Sequence, residues 1–205
     1  MNTLTGSGSR PKRTGARTER QSPPSSTPAA KQSGGKTQHH RFISLLLARA
    51  ENKDQEFERF AGASIDFSDV YRMGALERIN LIQQGIEPTV FKLMAQQLRR
   101  SKESFGDLMG LPVTTVDRKI ARHERLSIDQ SERLVSAAKL IGQIQSMIEE
   151  SGDPEGFDAA QWFDQWLDKP LAALGGRTPS EFMSTAEGRE LLSRLLATAQ
   201  SGAYA

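Results

Sequence analysis

The sequence predicts an all-α protein: a helix-turn-helix core, a small helical unit after it, and a disordered tail before it. Three observations carry this. Apolar residues after position 68 recur three and four apart, the period of a helix. Residues suited to capping, Ser101, Ser127, Asp158 and Thr178, stand before the apolar stretches. The stretch Lys102–Ile120 reads as two short helices around a glycine turn. Within it Phe105 and Met109 lie four apart, as do Val116 and Ile120, so each pair shares a helical face. Gly106 has no side chain where the second helix must cross closely, and Gly110 can take the positive φ of the turn.

In chain order, residues 1–41 are rich in Ser, Pro, Gly and Thr and nearly free of apolar side chains, too little to offset the entropy of ordering. They hold eight Lys/Arg against one acid, Glu19, and read as a disordered basic tail. Residues 42–87 form an N-terminal helical segment. Its first part, with Phe42, Leu45, Leu46, Phe57, Phe60 and Ile65, is loosely patterned. Its second part predicts one helix from Ser68 to Gly85 with Leu76, Ile79, Ile82 and Ile86 as the apolar stripe. Residues 89–99 supply a first core helix through Phe91, Met94, Ala95 and Leu98, and Ser101 caps the next.

After the motif, Ser127 and Gln130 make a capping box for a helix reaching about Glu150. Leu134, Ala137, Ile141, Ile144 and Ile148 alternate three and four apart along it, a seam that suits the DNA-binding core together with a second copy of the chain, or packing within its own chain alone. Residues 88–150 therefore read as the helix-turn-helix and a dimerisation helix. Ser151-Gly-Asp-Pro154 opens a last unit, residues 151–205. There Asp158 caps a helix bearing Trp162, Phe163, Trp166 and Leu167, and Pro170 stops it; the two tryptophans read as core. Thr178, Pro179 and Glu181 form a second capping box, Ser184 and Glu187 a third, and Leu191 to Ala199 the final helix.

Charge separates two surfaces. Residues 88–133 carry nine Lys/Arg and six acids, whereas residues 134–205 carry five and ten. With Val116 and Ile120 turned inward, Val113, Thr114, Asp117 and Arg118 point outward from the half of the second helix that enters the DNA major groove in this motif. Arg118 suits a bidentate contact to guanine, and Thr114 a base edge or phosphate. Lys119 and Arg122 suit phosphates, while Asp117 opposes them unless it meets a cytosine amino group. Cysteine is absent, so there is no disulfide or thiolate chemistry. No metal-spaced histidines, phosphate loop or Ser/His/Asp set is present, which argues against an enzyme and against a metal or cofactor. The longest apolar run, within Phe42–Ala48, is too short to span a membrane, and no signal-peptide pattern precedes it, so a cytoplasmic protein is expected.

Several motifs together resemble the Xre/MbcA/ParS antitoxins: Glu77, Arg78, Ile79 and Leu81–Gly85; Ser101-Lys102; Gly110-Leu-Pro112; Thr115-Val116; Arg118-Lys119; and Leu126-Ser127. The likeness continues in Trp166, Pro170, Leu174-Gly-Gly-Arg-Thr-Pro179, Thr185, Gly188 and Gly202-Ala-Tyr204, and covers roughly residues 68–205. The resemblance implies a DNA-binding core and a toxin-binding C-terminal domain. It also implies a RES-domain toxin that consumes NAD, or an ADP-ribosylating one, whose NAD site the antitoxin covers, and autorepression of the operon by the complex. Thr114, Thr115, Asp117, Arg118, Lys119 and Arg122 are then the DNA-binding candidates, and Trp166, Gly175, Gly176, Arg177, Thr178, Pro179 and Tyr204 the toxin-binding ones. A homodimer on operator DNA is expected. The rival reading is a one-component regulator whose C-terminal helices bind a small molecule or another protein.

Overall fold

The computed structural model describes residues 67–152 and 154–200. The N-terminal tail, the segment 42–66 and Tyr204 lie outside the described residues. Among the described residues eight α-helices follow in order: α1 Ser68–Arg72, α2 Ala75–Gln84, α3 Thr89–Gln97, α4 Lys102–Met109, α5 Val113–Ala121, α6 Ile128–Ser151, α7 Ala159–Leu167 and α8 Ala186–Gln200. Two short 3-10 turns, Ala172–Leu174 and Pro179–Phe182, join α7 to α8. Among the described residues no strand forms, and one isolated bridge pairs Leu171 with Arg177.

The single helix expected from Ser68 to Gly85 is in fact two. Met73 and Gly74 are extended, at ψ 138° and 149°, and Arg78 turns back to the carbonyls of Val70, Tyr71 and Met73, satisfying the open end of α1. Ser68 is buried inside the first turn rather than capping it, and Phe67 precedes it. The break resets the helical phase. Leu81 therefore packs inward, whereas Leu76 and Ile79 of the expected stripe are 78% and 47% exposed.

Helix α6 is the axis of the molecule. Its capping box forms as read, with Ser127 Oγ accepting from Gln130 N and Gln130 Oε1 from Ser127 N. Helices α1, α2, α7 and α8 all pack on it. The seam expected to meet a second copy is used inside the chain: Leu134, Ala137, Ile141 and Ile144 are buried, and so are Val135, Ala138 and Leu140 on its flanks. Ile148, the last residue of that seam, is half-buried. Gly142 shows how close the packing is, since a Cβ there would lie 2.0 Å from the Phe67 carbonyl oxygen.

The C-terminal unit is bound to the same body. Arg100, just before α4, pairs with Asp164 and Asp168 of α7, the second at 2.9 Å. Gln161 donates to the Gln97 carbonyl at 2.9 Å. Gln143 of α6 donates to the Ser193 carbonyl at 3.0 Å and accepts from Ser193 Oγ at 2.8 Å. Arg189 of α8, almost wholly buried, donates to the Met183 carbonyl at 2.8 Å and pairs with Glu132 of α6.

Candidate nucleic-acid interface and partner-binding face

The α4–α5 unit has the local structure its sequence demands. Ser101 Oγ accepts from Ser104 N at 3.1 Å and caps α4. Phe105 is fully buried with its ring centroid 5.0 Å from that of Phe91. A Cβ on Gly106 would approach the Leu111 carbonyl to 2.8 Å, and Gly110 closes the turn at φ 59°. Arg133 of α6 then donates to the carbonyls of Met109 at 3.1 Å and Gly110 at 3.0 Å, holding the turn from behind.

This frame presents Thr114, Asp117, Arg118 and Arg122 to solvent. Thr115 is half-buried, and Val113, read as outward, packs instead against the core beside Gly106. Asp117 is neutralised from α3, with Lys92 Nζ at 3.0 Å from its carboxylate, which removes much of the repulsion it would offer a phosphate. Lys119 is drawn inward: its ammonium donates to the Arg125 carbonyl at 2.9 Å, with Glu124 at 3.7 Å, and its side chain is only 17% exposed. It closes the end of α5 and is the weakest phosphate candidate of the set. Arg118 and Arg122 have no side-chain partner among the described residues. The available charge of α5 is theirs.

In the C-terminal unit, Asp158 Oδ1 accepts from Gln161 N at 3.0 Å and starts α7. Phe163 and Leu167 enter the core and Trp166 packs against it, whereas Trp162 lies outside it. Trp162 is 39% exposed and stacks on half-buried Trp166, centroids 6.1 Å apart at 15°, because their spacing of four puts both rings along one side of α7. Beside them the chain reverses through Leu171–Thr178. Leu171 N donates to the Arg177 carbonyl at 3.0 Å, and Gly175 and Gly176 are left-handed at φ 67° and 82°. Among the described residues nothing would touch a Cβ on either glycine, so it is the backbone angle that needs them.

Arg177, one of five Lys/Arg in residues 134–205, is engaged within its own turn. Its Nε is 2.9 Å from Glu181 and its guanidinium lies 4.4 Å over the Phe182 ring. Glu181 also accepts from the Thr178 backbone N–H at 2.9 Å. That bond first, and Arg177 next, hold its carboxyl below the ordinary carboxylate value. Pro179 is buried beneath the turn. The third capping box shifts by one residue: Thr185 Oγ1, not Ser184, accepts from an amide, that of Gly188, at 3.0 Å. A Cβ on Gly188 would lie 2.0 Å from the Phe182 carbonyl oxygen, so α8 is pressed against the 3-10 turn.

Sequence reasoning missed the groups that join the C-terminal unit to the segments before it. Arg100 is raised above the ordinary guanidinium value: burial opposes its charge, but the bonds and charges of Asp164 and Asp168 outweigh it. Arg189 is lowered, chiefly by burial, with Glu132 opposing.

A helix-turn-helix with free arginines on its second helix, rigidly joined to a unit with an aromatic face and an exposed turn, defines a DNA-binding protein that carries a protein-binding module. The comparisons agree. Residues 77–139 match the antitoxin Xre-like helix-turn-helix domain, and residues 155–202 match the antitoxin Xre/MbcA/ParS C-terminal toxin-binding domain. The chain is 40% identical over 139 residues to the Prs ADP-ribosylating antitoxin of Sphingobium sp. strain YBL2, covering 68% of this chain and 87% of that protein. It is 26% identical over 86 residues to the antitoxin Xre of Pseudomonas putida strain KT2440, covering 42% and 48%. The chain belongs to the Xre/MbcA/ParS antitoxin family, with a toxin as partner and DNA as ligand of its helix-turn-helix. No helix among the described residues is long and apolar enough to cross a membrane.

Proposed function

We propose that this antitoxin neutralises an NAD-consuming toxin by laying the face built from Trp162, Trp166 and the turn Gly175–Pro179 over the toxin's NAD site, and that the complex represses its own operon. The carrying observation is the turn itself. Two left-handed glycines project from a base fixed by the Leu171–Arg177 bridge and by Glu181, so backbone and the Arg177 guanidinium reach a partner with little further ordering cost. The resemblance to this family allows a RES-domain or an ADP-ribosylating toxin; the name of the Sphingobium relative supports the second. Tyr204, which lies outside the described residues, is a further toxin-binding candidate through the resemblance to this family.

On operator DNA, Arg118 reads a guanine and Arg122 meets a phosphate. The protein works as a homodimer on an inverted repeat with half-sites about 34 Å apart or multiples of that. With most of the α6 seam used internally, Leu76 and Ile79 of α2, exposed among the described residues, are the surface we assign to self-association. Co-expression with the toxin encoded beside it tests neutralisation through cell growth and NAD level. Arg177→Ala or removal of Ala203–Ala205 should leave folding and DNA binding intact while growth fails. Full protection by both variants refutes the occlusion reading. Sedimentation of Leu76→Asp at micromolar concentration tests the dimer, which should become a monomer.

A further inference from the structure

Wherever a helix or 3-10 turn of the described chain is followed by a left-handed residue, that residue is glycine in three cases: Gly110, Gly152 and Gly175. Two ends depart from this. Arg99 after α3 has φ 53° and His123 after α5 has φ 54°, the two non-glycine residues of positive φ among those described. The hydrogen bonds around both are those of a left-handed helix end: Arg100 N donates to Ala95 O at 3.0 Å, and Glu124 N to Lys119 O at 2.9 Å. A Cβ in this conformation is strained, and glycine is the cheaper residue. Neither side chain offsets that cost within the fold. Both residues are exposed, and neither side chain has a partner among the described residues. Arg100, one position on, is wholly engaged with Asp164, Asp168 and Ser104, so the contrast is between neighbours.

We propose that Arg99 and His123 are phosphate contacts that clamp the helix-turn-helix onto DNA from either end of the motif. Strained non-glycine residues persist where function holds them. Their places fit. Arg99 lies two residues before Ser101, the cap of α4, the helix that crosses the phosphate backbone in this motif, and His123 lies two residues past the end of α5, where the groove helix leaves the bases. A guanidinium and an imidazole N–H both donate to phosphate oxygens, and the imidazole does so even when neutral. Such contacts carry no base preference. They set the register in which Arg118 meets its base.

This rests on DNA binding by the helix-turn-helix, and the test separates the two. Full-length wild type, Arg99→Gly, Arg99→Lys and His123→Gly are titrated onto a labelled mixed-sequence duplex of about three helical turns over a series of salt concentrations, with thermal melts in parallel. Glycine relieves the backbone, so Arg99→Gly and His123→Gly should melt higher by roughly 2–4 °C. Both should nonetheless bind more weakly. Arg99→Gly should lose several-fold in affinity and about 0.9 in the slope of log affinity against log salt. Arg99→Lys should keep that slope, and His123→Gly should lose affinity. A more stable protein that binds less well is not what a structural role produces. Unchanged affinity and slope in Arg99→Gly, while wild type binds in a salt-dependent way, overturn the inference alone. Absence of salt-dependent binding by wild type overturns the DNA reading as well.

Discussion

The helix-turn-helix core and the C-terminal unit share α6, yet they are held by different means. Around α4 and α5 the closure is apolar: Phe91, Phe105, Met109 and Val116 are fully buried, and spacing alone brings them together. The C-terminal unit contributes Phe163, Leu167, Leu192 and Met183 to that core, but its seat is keyed by polar groups crossing from one segment to the other. Arg100 meets Asp164 and Asp168, Gln143 meets Ser193, and Arg189 meets Glu132. Apolar contacts tolerate sliding; buried polar contacts do not, because a displaced partner leaves a desolvated group unmatched. The DNA-binding half therefore owes its shape to packing, and the toxin-binding half owes its position to hydrogen-bond geometry.

The largest effect that could break this comparison lies at Arg189. Its guanidinium is buried, and Glu132 is its ionic partner. Glu132→Ala should cost about 3 kcal/mol, the low end for breaking a buried pair because Glu132 is partly exposed. Glu132→Leu combined with Arg189→Met should recover most of it. Urea unfolding of wild type, Glu132→Ala and the double variant decides this. A single substitution costing under about 1 kcal/mol, the level of a surface pair, would mean that packing, not polar keying, seats the unit.

Gly142→Ala and Gly188→Ala sharpen the comparison by overpacking each half in turn. Alanine in a helix interior is ordinarily better than glycine by roughly 0.5–1 kcal/mol. Here each new Cβ would meet a backbone oxygen at 2.0 Å, of Phe67 and Phe182 respectively. Backbone cannot swing away as a side chain does, so the sign should reverse to a net loss of about 2 kcal/mol. At the DNA face, Arg118→Ala should cost roughly 1–3 kcal/mol at one operator position and relax the preference there. Single-base variants of the operator measure it.

The same division decides what could be read from the sequence. Features that are local in the chain were legible: the spacing of Phe105, Met109, Val116 and Ile120, the turn at Gly110, and the caps Ser101, Ser127 and Asp158. The break at Met73–Gly74 was not, because a stripe read at three and four apart has no means of showing that the helical phase restarts. The α6 pattern marks Leu134 and Ile141 as buried without saying by whom, and intrachain helices proved to be the answer. Arg100–Asp164 and Arg189–Glu132 join residues 64 and 57 apart, where no periodicity operates. Of the partner-binding face, the turn with its Thr178–Glu181 box was legible. Arg177 and Glu181 are only four apart, and that spacing could have revealed their pairing.

That pair gives the smallest effect and the one with a pH signature. Arg177 and Glu181 are both about half exposed, so solvent screens their attraction, and Glu181→Gln should lower the melting temperature at pH 7 only slightly. The sign follows from the shift. The Thr178 amide first, and Arg177 next, hold the Glu181 carboxyl below its ordinary value of 4.5. A group with a depressed folded value stabilises the fold above its unfolded value and loses that contribution as pH falls through the lower folded one. The difference in melting temperature between wild type and Glu181→Gln should therefore be level above pH 4.5. Below that it should shrink and vanish, never grow. Toxin neutralisation at neutral pH should suffer more than stability does, because Glu181 orients Arg177 and the Thr178 amide in the exposed turn. A melting difference that widens in acid would show that Glu181 is not held as a carboxylate, and would remove the fixed base on which the turn depends.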